Sequence, residues 1–335
     1  MSATCLRAHF REALDDSPPI GVAGARSVQT PRRRTPWLLA PLGPLLVAAT
    51  ASHAQDIEPR AYSNAPVGVN FLIGGYVYTR GSLPTDPSIP LTSSHLSTSS
   101  AVLAYGHVFE LLGQSAKISI AAAYGGLGGN AVFAGQPIQR STEGLSDTSV
   151  RVSTGLHGAP AMNLEEFRNY RQDLIFGASL TATLPTGQYD SSRVVNIGTN
   201  RWSLRPELGI SKAFGSLTLE LSAGPVFFTN NNNFLNGHVR SQAPIISGQA
   251  HAIYDFGNGI WAALDAQHFT GGSTAIDGQG NDDLQGNWRV GATLALPLNA
   301  NFSLKLAAST GVSARTGNNY DLIGAFVQYR WGAGL

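Results

Sequence analysis

Nine charged residues share the polar face of runs in which polar and apolar side chains alternate. Alternation of this kind places successive side chains on opposite faces of an extended strand. Carboxylates and cations collected on one surface can form ion pairs, or they can attract and select a charged solute. The sequence leaves both roles open for this set: Asp147, Arg151, Arg205, Glu207, Glu220, Asp265, Arg289, Lys305 and Arg330.

The clearest alternating stretch is residues 201–230, and it predicts an antiparallel hairpin with its turn around Gly215. Apolar residues share one face of the first half: Trp202, Leu204, Pro206, Leu208 and Ile210. Another apolar set shares one face of the second half: Leu217, Leu219, Leu221, Ala223 and Phe227. The other face carries Arg205, Glu207 and Glu220.

Similar runs recur from residue 67 to residue 331 and predict about 12 strands. In the first of them Val69, Phe71, Ile73 and Val77 share a face. Connections at one end are mostly short and those at the other are mostly longer, with long loops expected at 79–96 and 127–146. One exception at the short end is the connection 158–172, which could hold a short helix.

This sorting of connections favours an all-β fold, a transmembrane antiparallel β-barrel, over a soluble sandwich of two sheets. In a barrel the apolar residues face lipid and the polar residues face a wet lumen. A charge facing lipid costs about 2–4 kcal/mol at the midplane, so the nine charged residues are expected to line the lumen. Val150, Val152, Leu208, Leu219 and Leu304 are expected to face outward.

Aromatic residues near the strand ends are typical of the girdles that lie at membrane interfaces. Each of them could equally be ordinary strand packing. The set is Trp202, Phe227, Phe228, Trp261, Trp288, Phe302, Tyr329 and Trp331.

The N-terminal residues predict a secretory signal peptide. Three arginines at 32–34 precede an apolar stretch at 37–50, and small residues flank His53 before Gln55. The stretch is shorter than the ~18–20 residues of a spanning helix, which disfavours a membrane anchor. We therefore expect residues 1–54 to be a signal peptide with a long N-terminal extension, cleaved near Ala54, and residues 55–335 to be an outer-membrane barrel. Cys5, the only cysteine, would be removed.

Composition excludes some classes of protein. The net charge is +1 and only 13% of residues are charged, which argues against a surface for nucleic acid. Membrane lipid and a small hydrophobic solute are the expected partners, and the oligomeric state stays open.

Several segments resemble an outer-membrane family associated with the meta pathway of phenol degradation, over roughly residues 56–331. The resemblance implies an outer-membrane location and a channel that takes up aromatic or other hydrophobic compounds. It rests on four segments: DIEPRAYSNAPVGVNF near the mature N-terminus, SDTSVRVSTGLHGAPAM at 146–162, LPTGQYD at 184–190 and NRWSLRPELGIS at 200–211.

No catalytic constellation is predicted. His107, His157, His251 and His268 lie on strands or at their ends, but the sequence has no GxSxG, HExxH or Walker motif. We expect no catalytic residue, no cofactor and no metal, although the acidic loop around Asp277 could bind calcium weakly. The alternatives to a channel are a structural or adhesive surface protein and, less favoured, a barrel enzyme acting on lipid.

Overall fold

A computed structural model describes residues 57–82, 91–133, 136–193, 195–317 and 319–335. The predicted signal peptide, residues 1–54, lies outside the described residues. Within them the chain forms seventeen strands and one helix. The bounds are β1 Val69–Ser82, β2 Leu91–Leu111, β3 Gln114–Phe133, β4 Gln136–Leu145, β5 Thr148–His157, α1 Leu164–Asn169, β6 Leu174–Leu184, β7 Ser203–Phe214, β8 Leu217–Phe228, β9 Asn231–Phe234, β10 His238–Gln242, β11 Ile245–Gly257, β12 Ile260–Gly271, β13 Thr274–Ile276, β14 Gln279–Gly280, β15 Gln285–Pro297, β16 Phe302–Ala314 and β17 Asn319–Gly332.

Thirteen of these strands form one antiparallel sheet that closes on itself. The order is β2-β1-β17-β16-β15-β12-β11-β8-β7-β6-β5-β3-β4, and β2 also pairs with β3 to complete the circle. β4 pairs with one half of β3 and β5 with the other half, so β4 and β5 occupy a single position in the wall. The barrel therefore has twelve positions, as the alternation predicts.

Two predicted loops are wrong. β1 continues to Ser82 and β2 begins at Leu91, while β3 and β4 fill most of the region 127–146. The glycines there do not break the strands because they allow close pairing: a Cβ at Gly125 would lie 2.5 Å from the Ser99 carbonyl oxygen. Strands rich in serine, threonine and glycine lack the apolar alternation on which the prediction depended.

The outer face of the barrel is apolar, as predicted. Leu208 is 65% exposed, Leu219 is 44% exposed and Val152 is 37% exposed. Val150 and Leu304 are half-buried on the same face. Because an exposed apolar band on a closed barrel fits hydrocarbon and not water, this surface faces the membrane.

The end of the barrel at which β1 begins and β17 ends also has the short turns, at Leu112–Gly113, Gly215–Ser216 and Asn258–Gly259. Short turns belong to the periplasmic end of such barrels. The predicted short helix is α1, which Asn163 and Glu166 cap reciprocally. No helix in the described part of the chain has the length and apolar character to cross a membrane.

At the opposite, external end, two connections form a small second sheet. β9 and β10 come from the connection between β8 and β11, whereas β13 and β14 come from that between β12 and β15. Both connections are polar in sequence. Their pairing joins β10 to β13 through Ser241 and Ala275, which are distant in sequence and carry no strand periodicity.

Candidate functional site in the barrel lumen

Residues Ile57–Pro66, called the N-terminal segment below, cross the interior of the barrel. The amide of Glu58 donates to Gln249 Oε1 of β11 at 3.0 Å. On the opposite side, Lys117 Nζ of β3 donates to the Ser63 carbonyl at 2.7 Å. The segment therefore joins strands that lie across the lumen from each other.

The N-terminal segment brings together three of the nine predicted charged residues. Glu58 accepts from Arg151 and pairs with Arg205 at 3.5 Å. Arg151 also pairs with Glu207 at 3.3 Å. The Tyr62 hydroxyl completes the cluster by donating to Glu207 Oε1 at 2.9 Å.

The phenol of Tyr62 remains a donor because burial raises its pKa above the ordinary value, and the charge of Glu207 raises it further.

Nearby, Arg60 pairs with Asp255 at 3.4 Å and lies over the Trp261 ring, 4.9 Å from its centre. Burial lowers the pKa of Arg60, and Asp255 opposes that shift. The prediction that Trp261 belongs to an interfacial girdle is therefore wrong: it is fully buried inside the barrel.

A second polar group crosses neighbouring strands. His251 Nδ1 lies 2.7 Å from Asp265 Oδ1, and Thr293 Oγ1 donates to Asp265 Oδ2 at 3.2 Å. Strand register places Glu220 directly beside His251, and Ser211 beside Glu220. Glu220, Asp265 and His251 are all buried, so this group faces the lumen and not lipid.

Two further predicted cations lie against aromatic rings. The Arg289 guanidinium is 3.9 Å from the centre of the Tyr320 ring and donates to the Tyr320 carbonyl at 3.1 Å. Lys305 Nζ lies 5.3 Å from the centre of the Phe326 ring. Both rings belong to β17, where the charged part of the lumen meets its apolar part.

The remaining two predicted residues hold connections near the barrel ends. Asp147 accepts from the amides of Gly187 and Thr199, at 2.9 and 2.8 Å, and so fixes the connection between β6 and β7. Arg330 donates to the carbonyl of Ala300 in the turn between β15 and β16 at 2.7 Å. The structure thus buries eight of the nine residues and half-buries Arg151, but it does not gather them into one ring.

Opposite the charges, the inner face of β17, β1, β2 and β3 is apolar. We call this surface the apolar wall. It was not expected, because the general rule assigns apolar residues to lipid, whereas β1 is apolar on both faces. Its buried members are Ile73, Val77, Leu96, Val102, Ala104, Ala121, Ala123, Tyr320, Leu322 and Phe326.

Sequence reasoning also missed Glu58 and Tyr62, which organise the charged cluster. Glu58, Arg60 and Tyr62 alternate, but the run is too short and proline-containing to signal a strand. Among the described residues, no three histidine, cysteine, aspartate or glutamate side chains come together as a metal site.

These features define a transmembrane β-barrel of the outer membrane of Gram-negative bacteria. The chain belongs to the family described as "Putative MetA-pathway of phenol degradation", whose sequence profile matches residues 50–331. This confirms the resemblance found in the sequence. Among curated proteins, none matches the chain.

A solved channel structure supports the fold. The COG4313 outer membrane channel from Pseudomonas putida F1 has a TM-score of 0.70 and 19% identity, over 82% of this chain and 100% of that one. The toluene transporter TodX from Pseudomonas putida gives a TM-score of 0.45 and 12% identity, over 88% and 99% of the two chains. The transport unit of the autotransporter AIDA-I from Escherichia coli gives a TM-score of 0.46 and 11% identity, over 83% of this chain and 94% of that one.

Proposed function

We propose that the protein is an outer-membrane channel that carries small hydrophobic or aromatic solutes. The observation that supports this most is the apolar wall, which faces the lumen. Because an apolar solute gains free energy wherever it leaves water for apolar surface, such a wall gives it a favourable path. The name of the family and the name of the Pseudomonas putida F1 channel agree with this proposal.

The charged side of the lumen has a complementary role. Cations and carboxylates on this side keep part of the interior wet. The contacts of Arg289 and Lys305 with aromatic rings lie where the charged side meets the apolar wall. A solute with an aromatic ring and a polar group could contact both surfaces at once. Pore-lining side chains of this kind tune selectivity in other barrels.

A structural or adhesive surface role is the second candidate, and the two-loop sheet at the external end is the feature that favours it. That role does not require an apolar inner wall. A lipid-hydrolysing role has less support, since three histidines bond to residues other than serine. His107 bonds to Asn70, His238 to Asp277 and His251 to Asp265.

The test is uptake of the fluorescent apolar probe N-phenyl-1-naphthylamine by cells that produce the protein. A faster rise in fluorescence than in cells producing an unrelated twelve-stranded barrel is the expected result. Equal rates in the two strains, with the protein folded in the outer membrane, would favour the adhesive role.

A further inference from the structure

The last three strands of the barrel carry inward cations but no inward carboxylate. β15, β16 and β17 contribute Arg289, Lys305 and Arg330, all of which are buried. The one acidic residue within the bounds of these strands is Asp321, which is exposed on the outer face. The inner surface is therefore positive here, whereas the cations of β5 and β7 pair with carboxylates.

Arg289 has only neutral hydrogen-bond acceptors. Its guanidinium donates to the Tyr320 carbonyl at 3.1 Å and to Ser309 Oγ at 2.9 Å. Its Nε is buried and has no hydrogen-bond partner. Arginine presents five N–H donors in a planar fork that matches the two oxygens of a carboxylate. Arg289 therefore retains the capacity to bind a carboxylate.

Lys305 is a second buried cation without a counter-charge. It is 4% exposed, and its Nζ lies 5.3 Å from the centre of the Phe326 ring. Within the described ranges, the ion pairs do not include Lys305 or Arg289. Contact with a ring offsets only part of the cost of removing an ammonium group from water. An anion that reached this group would offset much more of it.

The carboxylate beside this surface already has partners. Asp265 of β12 lies next to Gly291 of β15 in the strand register. One of its oxygens is 2.7 Å from His251 Nδ1, and the other accepts from Thr293 Oγ1 at 3.2 Å. Both oxygens are thus held by groups other than Lys305 and Arg289.

Each of the two cations lies beside an aromatic ring of the apolar wall. Tyr320 contacts Arg289, Phe326 contacts Lys305, and both rings belong to the same buried apolar cluster. The Phe326 ring occupies the space above Gly75 and Gly324, since a Cβ at either glycine would overlap it. The lumen surface therefore places a cation and an aromatic ring side by side at two positions.

Small residues line the inner face between these two positions. Gly291, Ala307 and Gly324 are half-buried, so the lumen reaches the wall there. Arg289 lies toward the external end, and its partner Ser309 is four residues from Lys305 along β16. This separation is ~14 Å at ~3.4 Å per residue, and Lys305 lies toward the periplasmic end.

We propose that the inner face of β15–β17 is a track for small aromatic carboxylates such as benzoate. Arg289 binds the carboxylate toward the external end, and Lys305 binds it toward the periplasmic end. The ring meanwhile lies against the apolar wall, where it leaves water. The proposal rests on the proposed channel function and deepens it by naming a class of solute.

Two features of the track define this class. An anion without a ring, such as acetate, satisfies the cations but gains nothing from the apolar wall. A neutral arene gains from the wall but leaves both cations without a counter-charge. An aromatic carboxylate does both, so it is expected to permeate better than acetate.

The test is the permeability of benzoate and of acetate, each relative to sodium, from reversal potentials in gradients of the sodium salts across planar bilayers. For the wild type, benzoate should exceed acetate by ~5-fold or more. Arg289→Gln and Lys305→Gln should each lower the benzoate value by a similar factor, whereas Arg289→Lys, which keeps the charge, should retain most of it. Lys212→Gln loses the same charge outside the track and is the matched control.

Heat-modifiable migration on gels verifies that each variant folds, and uptake of the neutral probe N-phenyl-1-naphthylamine by cells verifies that each still transports. The wild type and all variants should take up this probe equally, because it carries no carboxylate. A wild type that takes up the probe but passes benzoate no better than acetate would overturn the track. Benzoate permeability unchanged in both Arg289→Gln and Lys305→Gln would also overturn it. Failure of the wild type to take up the probe faster than cells without the protein would overturn the channel function itself.

Discussion

The hydroxyl of Tyr62 donates a hydrogen bond of 2.9 Å to Glu207, which joins the N-terminal segment to the lumen face of β7. Glu58 extends the same connection to Arg151 of β5 and Arg205 of β7. These groups are buried or nearly so, and a bond to a charged group in such surroundings is stronger than one at the surface. The N-terminal segment is therefore part of the lumen's charged surface.

Replacement of Glu58 by glutamine should loosen the N-terminal segment. The amide keeps the shape of the side chain but loses the charge that pairs with Arg151 and Arg205, at a cost of about 1–3 kcal/mol. We expect single-channel recordings in planar bilayers to show more frequent openings and larger conductance than in the wild type. Glu165→Gln, on the exposed periplasmic helix, is the control. Identical traces for wild type and Glu58→Gln would show that the segment does not limit the pore.

Selectivity should depend on the charged cluster. Arg205→Ala leaves Glu58 with one cation fewer, so the lumen becomes more negative and the reversal potential in a salt gradient should move toward cations. Glu207→Gln removes a carboxylate of the same cluster and should move the reversal potential the opposite way. Lys212→Ala, at the periplasmic end of β7, serves as the control. A reversal potential unchanged in both Arg205→Ala and Glu207→Gln would leave the cluster with a structural role.

Strand alternation alone predicted the twelve-position barrel, because a period of two fixes which side chains share a face. It could not predict which charges meet. Arg205, Glu207 and Glu220 share one face of the predicted hairpin, but the carboxylate that pairs with Arg205 is Glu58, which lies outside any strand. A partner supplied by an irregular segment leaves no periodic signal.

The apolar wall was missed for a different reason. Val69, Ile73 and Val77 lie on one face of β1, while Leu72 and Tyr76 lie on the other. When both faces are apolar, alternation cannot indicate which of them meets lipid. Only closure of the barrel, which directs Ile73 and Val77 inward, decides it.

Polar changes in the apolar wall should slow apolar solutes without affecting ions. Val77→Thr with Val102→Thr preserves side-chain shape but adds two hydroxyls, each of which costs about 1–3 kcal/mol to desolvate as an apolar molecule passes. We expect slower uptake of N-phenyl-1-naphthylamine and unchanged ion conductance. Val150→Thr, on the outer face of β5, should transport as the wild type does. Normal uptake by the double variant would mean that the solute avoids this wall.

The contact between the two external loops should depend on pH through Asp277. Its carboxylate accepts from the Val239 amide at 2.8 Å and lies 2.6 Å from His238 Nδ1. These bonds, the one from Val239 first, hold the pKa of Asp277 below its ordinary value of 3.8. Because the folded pKa is lowered, the contribution to stability is complete above the ordinary value and is lost as pH falls through the lowered one.

Hydrogen–deuterium exchange of β10, corrected for the intrinsic effect of pH, measures this contact directly. The amide of Val239 should be protected at about pH 5 and lose protection at about pH 2, when the carboxyl binds a proton and accepts more weakly. The Asp277→Asn protein has no titrating group there and should show the same protection at both values. If the wild type also kept equal protection across this range, Asp277 would not be the group that joins the two loops.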